Sequence, residues 1–239
     1  MPLTTTTIDY YDRDTLLQGY LAFDTTVEES RPVVLIAHAW GGRDDFVEAK
    51  ARSLAEMGYI GFALDMYGKG VLGHSPDENS QLMQPFMENR ALLQQRIGAA
   101  LNTVNQLPFV NNDKIAAIGF CFGGLCVLDL ARTGAPIQGV VSFHGLLLPA
   151  NNIPHPEVSA KILVLHGHDD PMVLSDQVIE LQHELTRSGA DWQLHQYGNT
   201  MHAFTNPLAN DPDFGTVYQR NADYRSWLSM QHFLAELFA

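Results

Sequence analysis

The segment Gly119-Phe120-Cys121-Phe122-Gly123-Gly124 sets a thiol among small residues, after an apolar run at 114–118 and before a helical pattern at 125–132. A strand that turns sharply into a helix leaves one side chain standing out at the bend. Flanking glycines are needed there because a Cβ would collide with the neighbouring backbone. The first N–H groups of the following helix are unpaired and carry partial positive charge, which favours a thiolate and then an oxyanion at that end. Cys121 therefore reads as a nucleophile for acyl chemistry. A free cysteine is more often inert core, and Cys126 keeps that reading.

Such a thiol needs a base within hydrogen-bond reach and a third group to orient the base. His202 lies in the loop 198–204, after a strand-like run at 193–197, and Asp170 in the turn 167–173, after the apolar run 162–165. Asp169 is the adjacent rival. Asp170 is preferred because Pro171 follows it and the turn runs on to Val173 at a helix entrance. Nucleophile, acid and base then run in the order Cys121, Asp170, His202, each at the carboxyl end of a parallel strand, where open α/β sheets gather their sites. Trp40, Tyr67 and His144 follow other strands and read as pocket walls, with core or rim placement the equal alternative for each.

These positions require a particular scaffold. From about residue 32 onward strand-like runs alternate with helix-like ones, which predicts a mostly parallel sheet with helices on both faces. Residues 6–11 and 16–23 alternate apolar and polar side chains around Asp12-Arg13-Asp14 and predict an antiparallel hairpin at the sheet edge. Helices are expected at 46–57, 88–106, 175–188 and 217–238, with a loop over 68–76. The 239 residues, 46% hydrophobic, read as one domain spanning 1–239. With 14 basic against 27 acidic residues, the net charge of −13 argues against nucleic acid and anionic membrane as partners. The first seven residues lack a basic segment followed by an apolar one, and no run is long enough to span a bilayer, so the default expectation is a cytoplasmic protein, monomeric or weakly dimeric.

Three pieces together resemble the dienelactone hydrolase family of the α/β-hydrolase fold: residues 119–124, the turn Gly167-x-x-Asp170-Pro171-x-Val173, and His202-Ala203-Phe204. The resemblance covers about residues 6–238. It implies a Cys121–Asp170–His202 triad acting on a small ester or lactone without a cofactor or metal. It also implies an oxyanion hole built from the backbone N–H of Phe122 and that of Ala39 or Trp40. The segment 37–42 matches as well, but the founding enzymes carry a glutamate where His38 stands, and an arginine four residues after the catalytic histidine, where Asn206 stands. His38 and Asn206 are accordingly read as pocket residues, and the missing arginine argues against a dienelactone carboxylate. Arg90 and Arg96 are read as packing and ion-pair residues.

Other classes fit parts of the pattern. His166, His168 and Asp169 supply ligand-type side chains for a metal-dependent hydrolase, with both histidines on one face of a strand end, but no H-E-x-x-H helix accompanies them. Glycines before a helix could cradle a dinucleotide, yet the G-x-G-x-x-G spacing is missing and the site falls mid-chain. A catalytically silent relative that binds small molecules is the remaining alternative.

Overall fold

The computed structural model describes residues 3–26, 29–154 and 157–239. Eight strands form one sheet in the order β1-β2-β4-β3-β5-β6-β7-β8. The first two, β1 (Leu3–Asp12) and β2 (Thr15–Asp24), make the antiparallel edge hairpin, and β2 pairs antiparallel with β4 (Ile60–Ala63). From β4 through β3 (Arg31–Ala37), β5 (Val110–Phe120), β6 (Gly139–Phe143), β7 (Lys161–Gly167) and β8 (Trp192–Tyr197) every pairing is parallel.

The central strands read as nearly unbroken apolar runs because helices cover them on both faces. Side chains alternate between two cores. Val33 and Leu35 point into one with Leu93 and Ile97 of α3 (Arg90–Asn105), Phe122 and Leu125 of α4 (Phe122–Arg132), and Leu181 of α5 (Ser175–Arg187). Val34 and Ile36 point into the other with Leu54 of α1 (Asp45–Glu56) and Met230 and Phe233 of α6 (Arg220–Leu237). The terminal helix thus spends its apolar face on its own sheet.

One helix departs from the expectation. The long helix predicted at 88–106 begins at Arg90, and a separate α2 (Pro76–Glu88) precedes it, immediately after the predicted loop. Only Phe86 is buried along α2, so tertiary packing does little to define it. Local devices define it instead: Ser75 accepts from the Glu78 N–H, Pro76 occupies the first turn, and Asn89 ends it while capping α3 through the Leu92 N–H.

Arg90 and Arg96 are ion-pair residues, as expected. Arg96 donates to Asp12 at 2.7 Å, tying α3 to the edge hairpin. Arg90 donates to the fully buried Asp129 of α4 at 2.8 Å, and Arg132 donates to the other oxygen of that carboxylate at 3.0 Å and to Glu184 at 2.7 Å. Truncating this hub leaves the largely buried Arg90 without a carboxylate and Arg132 with Glu184 alone. Asp129→Ala is expected to lower unfolding free energy by about 3–5 kcal/mol in urea titration, whereas Lys69→Ala, which breaks an exposed pair with Asp9, is expected to leave the urea midpoint unchanged.

Candidate active site

The site begins where β5 stops. Cys121 has φ 55° and ψ −115°, a left-handed backbone that few non-glycine residues adopt, and α4 starts at the next residue. The turn closes tightly enough that a Cβ on Gly119 would lie 2.0 Å from the Gly123 carbonyl oxygen, and one on Gly123 2.1 Å from that of Ala37. The Cys121 N–H donates to the Phe143 carbonyl at 3.0 Å, which fixes the turn to the end of β6. Its thiol is half-buried, whereas Cys126 is sealed in the core and burial pushes its thiol well up.

His202 arrives from the loop after β8, held on both sides of its peptide: its N–H donates to the Gly215 carbonyl at 3.0 Å and its carbonyl accepts from the Val217 N–H at 3.1 Å. Those partners belong to a small hairpin of β9 (Asn210–Asp211) and β10 (Thr216–Val217). Nδ1 of His202 donates to Asp170 Oδ2 at 2.7 Å. The other Asp170 oxygen accepts from the N–H groups of Met172 and Val173, so the carboxylate cannot swing away. Asp169, the rival in sequence, is exposed and accepts instead from the Thr200 N–H.

With Nδ1 donating to Asp170, Nε2 is left to face the thiol, and it is buried without a hydrogen-bond partner among the described residues. Burial pulls the His202 imidazole down, but the charges of Cys121 and Asp170 outweigh it and push it up to about 10. Its buried neighbours show what happens without a carboxylate in contact. Burial, with the His202 charge added, pushes His144 well down, and burial lowers His166 and His38.

Cys121 and His202 open into a cavity of about 170 Å³ that is also lined by Ala39, Trp40, His144 and Asn206, four of the expected positions. His144 sits edge-on to His202, ring centroids 5.2 Å apart, and its Nε2 pairs with the Thr205 hydroxyl at 2.8 Å. His38 and Tyr67 are not on the wall. His38 is fully buried, donating from Nδ1 to the Ala39 carbonyl at 2.6 Å and accepting at Nε2 from the Met66 N–H at 3.2 Å. Tyr67 donates to the Trp40 carbonyl at 2.9 Å and stacks on Phe122. Both brace the loop after β3 from the core side. Position after a strand does not say which way a side chain turns.

Phe122 is itself fully buried, so only its backbone faces the chemistry. Among the described residues, the N–H groups of Phe122, Ala39 and Trp40 have no acceptor within the chain. Other walls come from places that pattern reading passed over: Phe46 at the start of α1, Met83 on α2, and Phe214, which stacks on Trp40 from the tip of the small hairpin. Phe120 and Leu146 could have been found, since they neighbour Cys121 and His144.

The rival metal-ligand reading meets an obstacle in burial. His166 is inside while His168 and Asp169 are exposed, so the two histidines do not share a face. Among the described residues no three His, Cys, Asp or Glu side chains converge as ligands. Nor is any helix there long and apolar enough to cross a membrane.

The family model described as the dienelactone hydrolase family matches residues 17–238. The chain belongs to that family. A structure similar to this dienelactone hydrolase family member, described as a dienelactone hydrolase-like promiscuous phosphotriesterase from metagenomic libraries, is 36% identical with a TM-score of 0.95, covering 100% of both chains. An uncharacterized protein of Caenorhabditis elegans is 38% identical over 150 residues, 62% of this chain and 95% of that one. A carboxymethylenebutenolidase of Pseudomonas putida is 25% identical over 179 residues, 72% of this chain and 75% of that one.

Two measurements probe the site directly. Stoichiometric iodoacetamide is expected to alkylate Cys121 at least tenfold faster than Cys126, read by peptide mass mapping, because reactivity follows thiolate fraction and access. The charge of the neighbouring sulfur is the main influence holding His202 up, so Cys121→Ala is expected to move the imidazole titration downward from about 10. Side-chain nitrogen NMR would show it, and an unmoved titration would mean that the two groups are not coupled.

Proposed function

We propose that this protein hydrolyses a small carboxylic ester or lactone through Cys121, His202 and Asp170. The observation that supports it most is the convergence on one cavity of a thiol on a strained turn and an imidazole whose far nitrogen is held by a buried carboxylate 2.7 Å away. His202 holds the thiol proton, and the sulfur attacks the substrate carbonyl to form a C–S bond. The carbonyl electrons move onto oxygen, where the N–H of Phe122 and that of Ala39 or Trp40 receive them. Collapse expels the alcohol, which takes its proton from His202 Nε2. In a lactone the alcohol stays tethered. Water, deprotonated by the same nitrogen, then attacks the thioester and releases the acid and the free thiol. Throughout, Asp170 fixes the tautomer and stabilises the imidazolium. One lost oxyanion donor costs about 3 kcal/mol in comparable sites, so the backbone of the Ala39 loop carries weight equal to a catalytic side chain.

A second ester class draws support from the similar structure described as a phosphotriesterase. The same sulfur could displace an aryloxide from phosphorus, forming an S–P bond that water then cleaves. Diethyl 4-nitrophenyl phosphate in the same assay tests it.

Cys121→Ala is expected to abolish turnover of p-nitrophenyl acetate with a native circular dichroism spectrum. Unchanged turnover would remove the thiol from the mechanism. Asp170→Asn, which disturbs the tautomer and keeps the shape, is expected to lower kcat by roughly 10³–10⁴. A stoichiometric burst of p-nitrophenolate by the wild type would separate a catalyst from a silent binder.

A further inference from the structure

We infer that this cavity selects against anionic esters and favours uncharged or cationic ones, with Asp44 as the residue that makes the distinction. The inference rests on the ester-cleaving reading above and adds the substrate class.

The walls carry the argument. Trp40, Phe46, Met83, Phe120, Met172 and Phe214 supply apolar surface, and among the described residues no lysine or arginine lines the cavity. A substrate carboxylate entering it would shed water and meet no lysine or arginine, only an imidazole already paired with Asp170, and an unpaired buried ion costs several kcal/mol. Asp44 is the one carboxylate among the lining residues. It caps α1 by accepting from the Val47 N–H through Oδ1, and Oδ2 makes no hydrogen bond within the described chain. Asp44 is exposed, so that free oxygen places its negative charge at the rim of the cavity, whose walls include Trp40 and Phe214, with rings stacked at 5.7 Å and π-electrons that also favour cations.

The neighbouring cations do not cancel it. Arg43 is engaged with Glu48 and Gln18. Lys50 lies behind the walls, its Nζ 5.1 Å from the Phe46 centroid, 5.8 Å from that of Phe120 and 4.4 Å from that of Trp227, so its charge rests on ring faces. The imidazolium of His202 is matched by Asp170. The chain's net charge of −13 works in the same direction at long range.

Three p-nitrophenyl esters of matched chain length test the inference: the butyrate, the monosuccinate and the 4-(trimethylammonio)butyrate. Each kcat/KM is divided by the ester's rate with free 2-mercaptoethanol to remove intrinsic reactivity. The wild type is expected to prefer the neutral ester over the anionic one by at least about tenfold. Asp44→Asn keeps the helix cap, because asparagine caps as well as aspartate. Because Asp44 is exposed, the substitution is expected to lower the cationic-to-neutral ratio about two- to fivefold, less at high salt. A smaller preference over the monosuccinate, or a ratio unmoved by Asp44→Asn, overturns the inference while burst kinetics with the butyrate leave the ester reading standing. Failure to turn over any of the three removes that reading, and this inference with it.

Discussion

The turn at Cys121 is the constraint on which the site depends. A residue held at φ 55° and ψ −115° costs on the order of 1–3 kcal/mol, and it persists only where its surroundings leave no alternative. Here they leave none. Every residue of α4 is buried, so the helix cannot slide to relax the bend. Gly119 and Gly123 let β5, α4 and the end of β3 approach backbone to backbone, and Cys121 is hydrogen-bonded to Phe143 on the next strand. That strand ends in a second left-handed residue, His144 at φ 38°, whose N–H donates to Leu165 on β7. The strained positions are thus linked strand to strand across the carboxyl edge of the sheet, and the helix N-terminus is delivered to the ends of β3 and β6 together.

Burial alone would make every histidine near that edge neutral. His38, His144, His166 and His202 are all removed from solvent, and burial disfavours the charged imidazole in each. What singles out His202 is a carboxylate in direct contact and a thiol as neighbour. Asp170 can serve because its second oxygen is pinned by two backbone N–H groups, so the carboxylate has a fixed direction as well as a charge. The charged form is thereby favoured at one imidazole and disfavoured at its neighbours. His38 illustrates the contrast: both of its nitrogens are spent on backbone groups, one on the loop that presents Ala39 and Trp40. Where the founding enzymes place a charge, this chain has a buried brace.

How far the sequence disclosed this arrangement depends on where each residue's information lies. The parallel strands were legible because burial on both faces writes them as apolar runs, and the turn was legible because only glycine tolerates its close approaches. Asp170 was distinguishable from Asp169 through the proline that follows it. Helix α2 was not legible, since its opening Ser75-Pro76-Asp77 reads as the end of a loop and Pro85 stands inside it. Tyr67 and His38 were placed on the wrong side of their loop because strand ends specify position and not direction. Phe214 was out of reach for a different reason: it meets Trp40 only after the hairpin has folded back against His202, a contact between residues 174 positions apart that no local pattern encodes.

That last contact shows how the fold separates two tasks. Cys121 sits between the end of β5 and α4, whose side chains are almost wholly excluded from water, and any change there disturbs the sheet. The upper walls come from the loop after β3, from α2 and from a hairpin of two-residue strands whose Phe214 remains 45% exposed. Elements with few buried contacts open and alter at little cost to global stability. Substitutions at Trp40, Met83 or Phe214 can therefore reshape what enters the cavity while the turn, its hydrogen bonds and the imidazole's charge stay as they are. His202 joins the two regions, because the hairpin that carries Phe214 also holds the His202 peptide by two hydrogen bonds. A rearrangement of the hairpin large enough to move those bonds would displace His202 as well, which limits how far the walls can change before the imidazole moves with them.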